Sequence, residues 1–163
     1  MYRCVNRFFL FGLLTLYPVC GGAQTPLPPI RPDPTLTPGK WQEPPVPLSV
    51  LCTPGYSATV RNVPESLKDK VFERYGMDPK HIVRGAYEID HEISLELGGT
   101  NDIENLWPES YVTEPWNAHK KDRLENRLHW LVCHGKLELS DAQKAISGDW
   151  IAAYQLYVGD KKE

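Results

Sequence analysis

Prolines are concentrated near the N-terminus of this chain, and their placement limits what that part can fold into. Nine of the fifteen prolines in the 163-residue sequence lie between Pro26 and Pro47. Proline lacks a backbone N–H donor and interrupts helix interiors and central strands. We therefore expect residues 24–48 to form an extended linker, or an arm laid over the domain through Trp41. The compact domain is expected over residues 49–163, and a chain that starts near Pro47 should still fold.

The first residues have the pattern of an export signal. Two arginines precede an apolar run from Phe8 to Leu16, and small residues follow that run. The pattern predicts a secretory signal peptide over residues 1–23 and a periplasmic or secreted bacterial protein. An uncleaved anchor is one alternative, and Cys20 leaves a lipoprotein as another. After removal of the signal, the sequence predicts no membrane span.

The charge balance excludes general binding to polyanions. The whole chain has a formal net charge of −3. Without residues 1–23, which contain two arginines and no acidic residue, 16 basic and 21 acidic side chains remain, a net charge of −5. The field of such a chain opposes the approach of phosphate, so contact with nucleic acid requires a local basic patch.

Two cysteines, Cys52 and Cys133, remain after removal of the signal. An even pair in an oxidising compartment predicts one disulfide, with two buried free thiols as the alternative. The bond would close a loop of about 80 residues and stabilise the fold by about 4 kcal/mol, because it restricts the unfolded chain.

Hydrophobic periodicity predicts the elements that surround the chemistry. Residues 56–63 have the pattern of a strand, and residues 65–75 that of a helix that ends at Gly76. Residues 86–93 and a run around Leu106 are expected to form a hairpin across the GGTND turn.

Two helices are predicted in the last third of the chain. A long helix should end before Gly135, and a last helix should begin at a capping box formed by Ser140 and Gln143. An apolar stripe in the last helix is expected in the core, and not as a platform for stacked bases. Its members are Ala145, Ile146, Trp150, Tyr154 and Tyr157.

The side chains best suited to chemistry lie within residues 88–122. An Asp-His pair, an asparagine in the returning strand and an Asn-x-x-Lys at a helix start bring together oxygen ligands, an imidazole and cations. This combination favours metal-assisted phosphodiester hydrolysis, because a divalent cation stabilises charge on the phosphate while a neutral imidazole removes a proton from water.

Four short patterns in order resemble the HNH motif of ββα-metal endonucleases. They are Asp90-His91, Gly98-Gly99, Asn105-Leu106 and Asn117-x-x-Lys120. The wider sequence is also similar to small exported bacterial proteins that carry this motif. The resemblance implies an α+β fold, with a small HNH-like ββα-metal core of hairpin and helix, flanking helices and one disulfide. It also implies an endonuclease with little sequence specificity that acts on DNA in preference to RNA.

The resemblance implies a role for each matched residue. His91 would be the general base, and Asp90 would be a metal ligand. Asn105 would hold the loop that orients His91. Asn117 would be the second protein ligand, with His119 as a competitor for that position. One divalent cation, Mg²⁺ in preference to Mn²⁺, Zn²⁺ or Ni²⁺, would complete its shell with waters and phosphate oxygens.

Basic side chains at the start of the long helix are the candidates for phosphate contact. A plain solvated face is the alternative, because Asp122 and Glu125 interrupt the basic run. The candidates are Lys120, Lys121, Arg123 and Arg127.

The motif residues can also be interpreted as structural residues without a catalytic role. Asp90 could only form a cap or pair with His91 or a nearby cation, and Asn105 with the two glycines could only form turns. The competing function is a non-catalytic exported binding module that keeps an HNH-like scaffold. The net charge of −5 supports it, because a free-standing nuclease is usually more basic.

Overall fold

The computed structural model describes residues 29–159, so the predicted signal peptide lies outside the described residues. Over these residues the fold is α+β, with one antiparallel hairpin, several helices and one disulfide. The helices are α1 (Leu48–Leu51), α2 (Tyr56–Val60), α3 (Glu65–Arg74), α4 (Ala118–Cys133) and α5 (Leu139–Tyr157), and the strands are β1 (Tyr87–His91) and β2 (Leu106–Ser110). Short 3₁₀ turns lie at Pro79–His81, Leu95–Leu97 and Ile103–Asn105.

The hairpin register determines which side chains share a face. Glu88 pairs with Glu109, and His91 pairs with Leu106. Because side chains alternate along a strand and paired residues share a face, Glu88, Asp90 and Glu109 lie on one face of the hairpin.

The main core lies between α4 and α5. Leu124 and Leu128 of α4 are fully buried against Ile146, Trp150 and Tyr154 of α5. The long helix is confirmed, and the chain leaves it through Gly135, whose φ of 62° is a left-handed conformation that favours glycine. The stripe predicted for the last helix contributes to the core, as expected.

Two local predictions are wrong. Residues 56–63 do not form a strand: Tyr56–Val60 is helical, because its backbone groups bond locally, as in Arg61 N–H to Ser57 O at 3.1 Å. The capping box is also absent, since α5 begins at Leu139 and the Gln143 amide instead donates to Leu97 O at 2.8 Å.

The described part of the proline-rich segment lies over the domain as an arm. Gly39 N–H donates to Glu104 O at 3.1 Å, and Gln42 N–H donates to Gly98 O at 2.8 Å. Thr37 is buried, and its hydroxyl donates to Leu106 O at 2.9 Å. Backbone contacts therefore dock the arm. The Trp41 side chain, predicted as its anchor, is 43% exposed.

The disulfide between Cys52 and Cys133 is confirmed, with a Cα–Cα distance of 5.6 Å. It links the end of α1 to the end of α4.

Within residues 29–159, no helix combines the length and the apolar character that a membrane crossing needs.

Candidate active site

Three acidic side chains meet on the face of the hairpin that packs on α4. Each of Glu88, Asp90 and Glu109 offers a carboxylate oxygen, and these oxygens lie within 4.8 Å of one another. We call these three residues the carboxylate cluster. Glu109 is 2% exposed, and among the described residues no N–H or hydroxyl group donates to its oxygens, which face the Asp90 carboxyl. An unpaired buried carboxylate is costly, so this cluster favours either a bound cation or bound protons.

The cation that α4 supplies to this face is Lys121. Its side chain is fully buried, and Nζ donates to Asp90 Oδ2 at 2.5 Å, to Glu125 Oε1 at 2.5 Å and to His91 O at 2.7 Å. Burial alone would lower the Lys121 pKa, but the surrounding carboxylates, Asp90 first, hold it well above its ordinary value. The prediction that Lys121 contacts phosphate is therefore corrected: its ammonium group is an internal counter-ion. The pairing also matches the alternative reading in which Asp90 binds a nearby cation.

Lys121 alone cannot neutralise the acids around it. Burial raises the pKa of Glu92 to about 8 and that of Glu125 to about 7. Burial also raises the Glu109 pKa well above its ordinary value, and repulsion from Asp90 adds to the effect. Five carboxyl groups and one ammonium group would carry a net charge of −4 if all were ionised. The five are Glu88, Asp90, Glu92, Glu109 and Glu125.

The His91 ring makes its hydrogen bond on the side of α2, whereas the backbone O of His91 accepts from Lys121. Nε2 lies 3.1 Å from Asn101 Oδ1. The orientation of the Asn101 amide follows from its other bonds, since Nδ2 donates to Val60 O at 2.9 Å and Oδ1 accepts from Asn62 N–H at 3.1 Å. Because Oδ1 can only accept, His91 Nε2 carries the proton and Nδ1 has the free lone pair.

The environment of His91 keeps the ring neutral. Burial lowers its pKa to about 4. Nδ1 is buried and has no hydrogen-bond partner among the described residues. The arrangement leaves an unprotonated nitrogen available as a proton acceptor at neutral pH. Asn101, which creates it, was not among the predicted site residues, because an asparagine in a GGTND turn has no sequence signal that separates it from an ordinary turn residue.

The Asn105 side chain forms hydrogen bonds with two parts of the loop between β1 and β2. Its Nδ2 donates to Ile93 O at 3.0 Å and to Thr100 O at 2.9 Å, while Oδ1 accepts from Ile93 N–H at 2.9 Å and Lys40 N–H at 3.1 Å. Gly99 packs against the same loop, where a Cβ would lie 1.8 Å from Ile93 O. The loop that follows His91 is therefore closely constrained by Asn105.

The other two predicted ligands have different surroundings from Asp90. Asn117 is the N-cap of α4, with Oδ1 accepting from Lys120 N–H at 3.3 Å and Nδ2 donating to Glu114 Oε1 at 3.3 Å. His119 is exposed, and its ring centre lies 5.2 Å from that of Tyr111. Among the described residues, the three members of the carboxylate cluster lie close enough together to hold one metal ion. His119 does not belong to this group. A second such group contains Cys52 and Cys133, whose sulfurs are already bonded to each other.

The remaining basic candidates lie on another side of α4. At 100° per residue, Lys120, Arg123 and Arg127 are rotated by roughly 100 to 160° from Lys121 around the helix axis. Lys120 Nζ lies 5.1 Å and Arg123 Cζ 5.7 Å from the centre of the Tyr154 ring. These cations therefore point toward the aromatic side of the protein and not toward the carboxylate cluster.

The interpretation of this site depends on its own geometry. The hairpin and α4 supply the carboxylate cluster, a neutral His91 and a constrained loop. No protein-family model, curated protein or solved structure matches the chain.

Proposed function

We propose that the protein is a metal-dependent, HNH-type endonuclease that cuts nucleic acid, DNA in preference to RNA, with little sequence specificity. The observation that carries the proposal is the carboxylate cluster, in which three carboxylate oxygens lie within 4.8 Å of one another and Glu109 is buried. Carboxylate oxygens are the ligands that hard divalent cations such as Mg²⁺ prefer, and Mn²⁺, Zn²⁺ and Ni²⁺ are the competing ions.

The residues that would hold the cation are Glu88, Asp90 and Glu109, a set that differs from Asp90, Asn117 and His119. The closeness of their carboxylate oxygens and the burial of Glu109 support this set. Lys121 keeps Asp90 ionised, since its charge and hydrogen bond outweigh the effect of burial and lower the Asp90 pKa. When bound, a divalent cation supplies charge stabilisation at the phosphate and the leaving oxygen.

His91 would act as the general base through Nδ1. Its pKa of about 4 keeps the ring in the proton-accepting form across the neutral range. Asn101 would hold the required tautomer by accepting from Nε2–H. Because His91 is 1% exposed, the attacking water would have to be enclosed with the ring.

A second function has its own support. Asp90 is already paired with Lys121, and the side-chain hydrogen bonds of Asp90 and His91 lie on opposite sides of the hairpin. Both observations favour a non-catalytic exported binding module that keeps the scaffold. In either case we place the protein in the periplasm or outside the cell, which is supported by the disulfide.

Plasmid nicking by the purified mature chain tests the proposal. Cleavage is expected with Mg²⁺ or another of the four ions, and His91→Ala should lower turnover by about 10²- to 10⁴-fold. Calorimetric titration should show weaker cation binding in Glu109→Gln and unchanged binding in His91→Ala. The exposed Glu73 provides a matched control, Glu73→Gln. Absence of both cleavage and cation binding with all four ions would refute the enzyme and leave the binding module.

A further inference from the structure

We propose that nucleic-acid phosphates bind in a cleft lined by Arg61, Lys68 and Arg84, and that the strand does not follow the basic side of α4. The inference depends on the proposed function, because it specifies where the substrate of that same site binds. The cleft has a volume of about 390 Å³. Phe72 and Tyr87 form part of its apolar wall.

The two arginines of the cleft are available for a ligand. Arg61 and Arg84 are exposed, and neither side chain forms a hydrogen bond or an ion pair with any residue of the described part. Lys68 is partly neutralised by Glu65, with Nζ 2.6 Å from Oε1. A guanidinium group offers donors in a planar fork that matches two phosphate oxygens, so the arginines carry the proposal.

One end of the cleft reaches the candidate active site. Glu88 lines the cleft and is also a member of the carboxylate cluster. A phosphate held by the arginines would therefore lie along the same surface as one of the proposed cation ligands.

Asn101 joins the backbone on either side of Arg61 to the His91 ring. The Asn101 amide bonds Val60 O and Asn62 N–H, the backbone groups on either side of Arg61, and it also bonds the His91 ring. The backbone that carries Arg61 is therefore hydrogen-bonded, through Asn101, to the ring of the proposed general base.

The basic residues of α4 are less suited to this role. Arg127 Nε donates to Tyr157 O at 3.2 Å, and its Cζ lies 4.9 Å from the centre of the Trp130 ring. Arg123 lies over Tyr154. Since the mature chain has a net charge of −5, binding to a polyanion depends on a local patch, and the cleft supplies one that adjoins the carboxylate cluster.

The test compares two double variants that each lose two positive charges. Arg61→Gln/Arg84→Gln alters the cleft, and Arg123→Gln/Arg127→Gln alters α4. Both are made in the full mature chain that carries His91→Ala, so that DNA is not cut during the measurement. Binding of a short fluorescent DNA duplex is followed by anisotropy over a series of salt concentrations.

The cleft variant should lose at least about 10-fold in affinity, and the slope of log K against log[salt] should become shallower by about 2, since each lost phosphate contact removes about 0.9. The α4 variant should bind as its parent does. Equal loss in both variants, loss confined to the α4 variant, or no duplex binding by the parent would overturn the inference. Thermal unfolding verifies that the variants fold, and Arg84→Gln alone provides a milder second variant in an exposed loop.

Hydrolysis is scored separately with a small chromogenic phosphodiester in the chain with His91 intact. If the chain hydrolyses this substrate and the cleft variants still bind DNA normally, the proposed role of the cleft is refuted and the proposed enzyme activity stands. If DNA binding depends on the cleft but no substrate is hydrolysed, the proposed enzyme activity is refuted and the cleft remains a DNA-binding site.

Discussion

Lys121 Nζ lies 2.5 Å from Asp90 Oδ2 where the hairpin meets α4, and the two side chains are 0% and 8% exposed. The pair is enclosed by further acids that Lys121 does not fully neutralise. A lysine from α4 therefore influences the charge state of the site from within the protein.

Replacing Lys121 by methionine should destabilise the protein by about 3–5 kcal/mol at neutral pH, because it leaves Asp90 as an uncompensated buried charge. Urea unfolding measures the change. Lys144→Met is the control, since that side chain is 79% exposed and lies 3.9 Å from Asp141. A loss no larger than that of the control would contradict the role of Lys121 as an internal counter-ion.

The stability of the protein should fall as the pH rises toward 8, in part because of Glu92. The pKa of this group is raised from 4.5 to about 8 by burial. Its favourable contribution is therefore complete below pH 4.5 and is lost as pH rises through 8. Glu92→Gln cannot ionise, so it should gain on the parent by up to about 1.4 kcal/mol per pH unit across this window. A difference between Glu92→Gln and parent that stays constant with pH would rule out this linkage. Glu73→Gln, at an exposed site, is the matched control.

For the proposed endonuclease, the cleavage rate should fall on the acid side only near pH 4. A general base must be unprotonated, and burial lowers the pKa of His91 from 6.5 to about 4. The sequence alone gives an expected limb near 6.5, the ordinary value for histidine. A pH–rate profile with saturating cation, together with NMR titration of the His91 ring, distinguishes the two values. A limb at 6.5 would show that the ring is solvated during catalysis.

Asn101→Ala should allow the His91 ring to adopt either tautomer while the ring stays in place. Turnover is expected to fall by about 10- to 100-fold, the usual loss when an orienting partner is removed. Nitrogen chemical shifts of His91 should change from the Nε2–H form to a mixture of both tautomers. An unchanged tautomer would assign the orientation of the ring to its packing and not to Asn101.

Removal of the arm should destabilise the domain, in contrast to the expectation from its proline content. A chain that starts at Leu48 loses the bonds from Thr37 to Leu106 and from Lys40 to Asn105. Each lost bond leaves a buried polar group unsatisfied, at a cost of about 1–3 kcal/mol. Denaturant titration measures the loss, and Thr37→Val isolates one bond. Equal stability of the long and short chains would show that the arm only lies on the surface.

Local patterns were sufficient to predict the elements that carry the site. The hairpin followed from alternation around Glu88 to His91, and α4 followed from leucine spacing ahead of Gly135. The strand predicted over residues 56–63 failed because β-branched Thr59 and Val60 favour a strand locally, whereas the chain bonds within a short helix.

The composition of the site depends on tertiary contacts that a sequence pattern does not contain. Lys121 had the same apparent status as Lys120, and only the packing of α4 on the hairpin separates the buried side chain from its neighbour. Glu88 and Glu109 are 21 positions apart and were not recognised, because their proximity depends on the register of the strands. Asn101 gained its importance from the position of α2, which was predicted as a strand.

The indole N–H of Trp150 donates to Ile30 O at 2.9 Å, a contact that spans 120 positions. The same two segments are joined again between Arg31 and Asp149. Closing so long a loop costs entropy that only the finished core can offset, so these contacts form late as the chain folds. Until α5 is complete, a newly made chain leaves Ile30 and Arg31, at the start of the described arm, without these partners. During this interval the carbonyl group of Ile30 can accept hydrogen bonds only from water, whereas in the finished fold it accepts from the Trp150 indole.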